Sequence, residues 1–144
     1  MPEPRTIHFL HVEDDDLCIM ALARAFKKAK IENPVHFAHD GVDALEMLRG
    51  TNGRERLPRP YLILLDLNMP RMGGIELLKE LRQDEELKRS IVFVMTTSHA
   101  ERDKCAAYDL GVAGYILKTH AGNAFQEAMT LLETYCRVVE FPTL

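Results

Sequence analysis

Four groups of polar residues, each placed directly after an apolar run, carry the chemistry this sequence could perform. Glu13-Asp14-Asp15-Asp16 follows IHFLHV, Asp66 follows YLILL, Thr96-Thr97 follows IVFVM, and Lys118 follows GYIL. If the fold gathers these positions along one edge, that edge holds several carboxylates, a hydroxyl and one ammonium. Crowded carboxylates repel and raise each other's pKa, a conflict that a divalent cation removes. An all-oxygen donor set favours a hard ion such as Mg2+, which keeps some of its waters and takes only one or two direct carboxylates. Asp14, Asp66 and the backbone carbonyl of Asn68 could ligate it, with Glu13 acting through water. A carboxylate can also attack phosphorus to give an aspartyl phosphate. That reaction asks a protein mainly for positioning and charge neutralisation. Lys118 supplies a compact positive charge for a phosphate oxygen, and Thr96 a hydroxyl donor. Taken singly, each residue has a plainer reading. The acidic run could cap a helix, Lys118 could be surface charge, and Thr96 could simply end a strand. Their joint placement favours the chemical reading.

The elements that must position these groups alternate along the chain. Short apolar runs that suit buried strands occur at Ile7–Val12, Tyr61–Leu65, Ile91–Met95 and Gly114–Leu117, with a weaker run at Val35–Ala38. Helical spacing links Cys18, Ala21, Leu22, Ala25 and Ala29 after Asp15 or Asp16, and links Ala44, Leu45 and Leu48 after Asp40. It also links Ile75, Leu77, Leu78 and Leu81 after Gly73-Gly74. Ser98 with Glu101 reads as a capping box before a fourth helix. Phe125, Ala128, Met129, Leu132, Tyr135 and Cys136 make the apolar stripe of a fifth. Strand–helix alternation of this kind implies a parallel sheet covered by helices on both faces. In such sheets the ligand site lies beyond the carboxyl ends of the strands.

Length and charge bound the remaining possibilities. A chain of 144 residues, 47 % of them hydrophobic, fits one domain with a full core. The formal net charge of −4 argues against nucleic acid as a main partner. No apolar run is long enough to span a bilayer, and the residues after Met1 lack the apolar stretch of a signal peptide. The expected compartment is the cytoplasm. Cys18, Cys105 and Cys136 are odd in number and widely spaced, which suggests neither a disulfide framework nor a metal site. The irregular stretch Arg49–Pro60 reads as a long surface loop whose arginines are solvated.

With those residues in view, the sequence closely resembles the receiver domains of two-component response regulators. The stretch LILLDLNMPRMGG from Leu62 to Gly74 carries most of the likeness. Thr96 then lies 30 residues after Asp66, and Lys118 lies 22 after Thr96. The resemblance implies a flavodoxin-like, doubly wound five-stranded parallel sheet of order 2-1-3-4-5 with five helices. It further implies Mg2+-dependent phosphotransfer from the phosphohistidine of a sensor histidine kinase. It assigns Asp66 as phosphoacceptor and Glu13 and Asp14 as the acidic pair. Asn68 would be the carbonyl ligand, Thr96 the switch hydroxyl, Tyr115 the switch aromatic and Lys118 the phosphate-binding lysine. One departure stands out: Thr119 follows Lys118 where the family usually has proline. The long loop, the Lys118-Thr119 pair and the tail through Phe141-Pro142 are similar to single-domain regulators paired with bacterial and cyanobacterial phytochromes. A phytochrome kinase is therefore the expected phosphodonor. The chain reads as one receiver domain over 1–144 with a C-terminal extension from about residue 135. No output domain is expected, so output would be a change in protein contacts. The stripe of the last helix, continued by Val138, Val139, Phe141, Pro142 and Leu144, suggests a homodimer formed through this end. The alternative is a tail folded back on its own domain.

Three other readings compete. Phosphatases of the haloacid-dehalogenase type place an aspartate general acid two residues after the nucleophile, and the amide of Asn68 cannot do that work. A receiver-like module that binds without being phosphorylated would not need both Asp66 and Lys118. A flavodoxin-type cofactor carrier would need a Ser/Thr/Gly-rich phosphate loop after the first strand, which is missing here.

Overall fold

The computed structural model describes residues 6–118 and 123–143, the second segment with side chains from residue 126 onward. Five strands, β1 (His8–Val12), β2 (Val35–Ala38), β3 (Tyr61–Leu65), β4 (Ile91–Thr96) and β5 (Gly114–Leu117), alternate with five helices. The helices are α1 (Asp16–Lys28), α2 (Gly41–Arg49), α3 (Gly74–Gln83), α4 (Glu101–Asp109) and α5 (Asn123–Val138). The strands form one parallel sheet in the order β2-β1-β3-β4-β5, the flavodoxin-like arrangement. Three expected strands coincide with the observed ones, and the other two differ by a residue at one end.

The sheet separates two cores because side chains alternate along each strand. On one face Leu10, Val12, Ile63, Leu65, Val92 and Val94 pack against α2 and α3. On the other, Phe9, Leu62, Leu64, Phe93 and Met95 meet Leu22 and Phe26 of α1 and Ala128, Met129 and Leu132 of α5. All five residues of β3 are buried, as a central parallel strand requires. Phe26 stacks edge-on against Phe9 at 4.9 Å between centroids. Phe26 lies four residues after Leu22 and shares its buried face of α1.

Of the four described helix starts, two carry a side-chain cap and two, after Gly73 and Ala100, do not. Asp15 caps α1 by accepting from the Leu17 amide, and Asp40 caps α2 by accepting from Asp43 N. The capping box expected from Ser98 and Glu101 does not form. The helix begins after Ala100, which has no side chain to cap it, and the Ser98 hydroxyl instead donates to Asp103 at 2.6 Å.

The loop from Arg49 to Pro60 corrects another expectation. Its arginines are paired rather than simply solvated. Arg49 reaches Asp84, Arg54 meets Asp43, Arg56 meets Glu86, and Arg59 donates to the Glu86 carbonyl. Leu57 is 5 % exposed and its amide donates to Met47 O, so the loop is pinned from within and its arginines are carried to acids on α2 and after α3. Arg82 ties the end of α3 to its surroundings by donating to the carbonyls of Lys88, Ser90, Leu110 and Gly111.

The C-terminal tail partly returns to its own domain. Phe141 packs edge-on against Tyr135, which packs edge-on against Phe93, with centroids 5.7 and 5.0 Å apart. Leu131, Val138 and Val139 remain exposed. Phe125 and Leu144, both expected to extend this apolar surface, lie outside the described side chains, as does Thr119. All three cysteines are free thiols; Cys105 is exposed on α4. Burial pushes the thiols of Cys18 and Cys136 up to about 11. Among the described residues no helix is long and apolar enough to cross a membrane.

Candidate functional site

Strand register brings the acidic groups together. Val12 lies opposite Leu65, so Glu13 and Asp66 emerge side by side, and the Asp66 amide donates to Val12 O at 3.0 Å. Thr96 lies opposite Leu117, and the Lys118 amide donates to Thr96 O at 2.8 Å. Four of the sequence-predicted residues therefore converge at the carboxyl edge of the sheet. Oxygens of Glu13, Asp14 and Asp66 all lie within 4.8 Å of one another. Lys118 Nζ pairs with Glu13 and stands 3.8 Å from Asp66 Oδ2. Asp14 faces solvent, whereas Glu13 is fully buried and Asp66 is 8 % exposed.

The electrostatics match a site built for more positive charge than one lysine brings. Burial, reinforced by the adjoining Asp66 carboxylate, pushes the Glu13 carboxyl up to about 7 in spite of Lys118. The Lys118 ammonium is opposed by burial, yet its hydrogen bond with Glu13 and the charge of Asp66 hold its pKa above the ordinary value. Glu13 Oε2 is buried without a hydrogen-bond partner. An orphaned carboxylate oxygen beside two further carboxylates is the donor set a hard divalent cation takes, so these residues fit such an ion. Asn68 sits exposed two residues beyond Asp66, in a loop closed by the Gly74 amide donating to Leu67 O at 3.0 Å. Only a glycine allows that closure, because a Cβ on Gly74 would lie 2.6 Å from Asp66 O.

Thr96 and Tyr115 are joined through Ser98. Thr96 is fully buried, and its Oγ1 accepts from the Ser98 amide at 3.3 Å. The Tyr115 hydroxyl donates to the Ser98 carbonyl at 3.0 Å, and its ring packs against the core. Ser98, which sequence reasoning treated only as a helix cap, is thus the link between the two residues assigned to switching. His11 was also missed. It is 2 % exposed, its Nδ1 is unpartnered, and burial followed by the Lys118 charge pushes it down to about 4. It lies two residues after Phe9 and shares its face of β1, a pattern that predicts burial and nothing more.

Comparison with known proteins settles the family. Residues 9–130 match the response regulator receiver domain. The chain belongs to that family. It is 40 % identical over 110 residues to the response regulator Rcp1 of Synechocystis sp., spanning 76 % of this chain and 75 % of that protein. Its fold matches the Mn(2+)-bound form of Rcp1 with a TM-score of 0.84 at 34 % identity, covering 94 % of this chain and 99 % of the other. It matches the phosphorylated cyanobacterial phytochrome response regulator RcpA with a TM-score of 0.85 at 32 % identity, covering 96 % and 99 %. This receiver is therefore related to phytochrome response regulators.

Proposed function

We propose that this receiver accepts a phosphoryl group on Asp66 from a sensor histidine kinase of the phytochrome class, in a Mg2+-dependent reaction, and signals through the resulting change in protein contacts. The observation that carries this reading is the convergence of Glu13, Asp14 and Asp66 with Lys118 Nζ 3.8 Å from the acceptor carboxylate. A Mn2+-bound relative and a phosphorylated relative of the same fold support it.

An Asp66 oxygen attacks phosphorus as the bond from phosphorus to the donor's histidine nitrogen breaks. Glu13, Asp14, Asp66 and the Asn68 carbonyl would hold Mg2+, and the ion would supply neutralisation of charge on the transferred group. Lys118 pairs with Glu13 in the unphosphorylated protein and can turn to a phosphoryl oxygen when one arrives. The new group adds about −1.5 to −2 charge, enough to redraw that pairing. Thr96 then donates its hydroxyl to the phosphoryl group, and Ser98 and Tyr115 register the move. The protein catalyses only its own phosphorylation and dephosphorylation, works in the cytoplasm, and forms a homodimer through α5. For that interface the exposed Leu131, Val138 and Val139 are the contact residues.

Incubation with acetyl phosphate and Mg2+, followed by intact-mass measurement, tests the central step. Wild type gains one phosphoryl mass and Asp66→Asn gains none; equal labelling of both would remove the proposal. Phosphotransfer profiling against the sensor kinases of the source organism identifies the donor.

A further inference from the structure

The loop that carries Asn68 is gripped from outside by the start of α2. Arg71 donates to Asp40 with both Nε, at 2.6 Å to Oδ2, and a terminal nitrogen, at 3.1 Å to Oδ1. Asp40 is 4 % exposed and its Oδ1 also accepts the Asp43 amide at 2.9 Å, so one carboxylate both caps α2 and holds Arg71. One residue further on each side, Gly41 N donates to Met72 O at 3.0 Å. A Cβ on Gly41 would lie 2.6 Å from Met72 Cγ. Arg71 holds a left-handed backbone, φ 61°, which costs free energy in a non-glycine residue and persists only where its surroundings impose it. A bidentate guanidinium–carboxylate pair supplies directional constraint of that kind.

From these contacts we infer that the Asp40–Arg71 pair is a positioning device for the metal site, setting the orientation of the Asn68 carbonyl and with it the affinity for Mg2+. Asn68 lies three residues before Arg71, within a loop whose other end is fixed by Gly74 N on Leu67 O. Met72 N donating to Pro70 O at 2.7 Å tightens the stretch between them. A loop closed on itself and clamped at one point transmits that clamp along its short backbone to the Asn68 carbonyl. The pair touches no reacting atom. It acts as partners beyond a metal's direct ligands do, by orienting a ligand, and loss of such partners typically weakens metal binding about tenfold or more.

The inference rests on the proposed metal-dependent reading. Its test is a Mg2+ titration followed by backbone amide shifts on wild type, Arg71→Gln, Asp40→Ser and the double variant. Serine retains a hydroxyl that can cap α2, so Asp40→Ser removes the clamp while sparing the helix start. Arg71 is largely exposed, and its replacement leaves the core untouched. Each single variant should bind Mg2+ about tenfold more weakly, and the double variant no more weakly than either single. Unchanged Mg2+ affinity in Arg71→Gln, or losses that multiply in the double variant, would overturn the clamp. A wild-type protein that shows no Mg2+-dependent shifts near Asp66 would overturn the metal-dependent reading itself, and the clamp with it.

Discussion

At the scale of single residues, the proposed function divides the site between groups that would hold charge and groups that would report it. Asp14 is exposed and free to meet an ion, whereas Glu13 is buried against Lys118. Asp14→Ala should therefore weaken Mg2+ binding more than Glu13→Gln, by more than about tenfold, measured by calorimetric or amide-shift titration. Thr96→Ala should still take up phosphate, since the acceptor and lysine remain, but should lose the phosphate-induced amide shifts at Ser98 and Tyr115. Unchanged shifts there would separate Tyr115 from phosphate sensing. The convergence of Glu13, Asp14, Asp66 and Lys118 was legible in the sequence because these groups directly follow apolar runs, and strand register does the rest. Ser98 and Arg71 were not. Their roles depend on which backbone carbonyl or buried carboxylate lies across a loop, and no local pattern encodes that.

At the scale of elements, the strand ends are defined by close backbone packing as much as by hydrophobicity. Gly74→Ala would drive a Cβ against Asp66 O and Leu67 Cα. It should cost about 1–3 kcal/mol, as overpacking usually does, read from urea melts. It should also slow phosphoryl uptake by displacing the acceptor's own backbone. The start of α2 adds a pH signature. Burial opposes ionisation of Asp40, but the Arg71 hydrogen bond and charge, together with the Asp43 and Val42 amides, outweigh it and hold the carboxyl below its ordinary value. Its stabilising contribution is present above the unfolded pKa, near about 3.9, and is lost as pH falls through the lower folded value. Wild type should thus exceed Arg71→Gln in stability near neutrality and converge with it in acid. The strands and most helix faces were readable from periodicity. The failed Ser98–Glu101 box shows the limit: a serine two residues early can find a better partner inside the helix than at its end.

At the scale of the whole molecule, the C-terminal tail serves two surfaces. Phe141 closes an aromatic chain through Tyr135 to Phe93, so Phe141→Ala should cost about 0.5–1.5 kcal/mol beyond the area it exposes, seen as a lower melting temperature. The outward residues Leu131, Val138 and Val139 remain exposed, and the proposed dimer would cover them. Light scattering at tens of micromolar should show a dimer for the full chain and a monomer for Val138→Glu with Leu131→Glu, and a monomeric full chain would end that idea. Charge is arranged at this scale as well. The arginines of the 49–60 loop are spent on acids of α2 and the α3–β4 connection, which the sequence, showing only a basic loop, had no means to reveal.

The three thiols give the protein a built-in labelling handle. Cys18 and Cys136 stay protonated at neutral pH, because burial pushes both up to about 11, and thiolate is the reactive form. Cys105 alone among them is exposed, on the helix that follows Ser98. One equivalent of a maleimide dye should therefore modify Cys105 first, as peptide mapping would verify. The natural sequence then carries a fluorophore on the helix that follows Ser98, and the proposed phosphorylation could be followed in real time without engineering a cysteine.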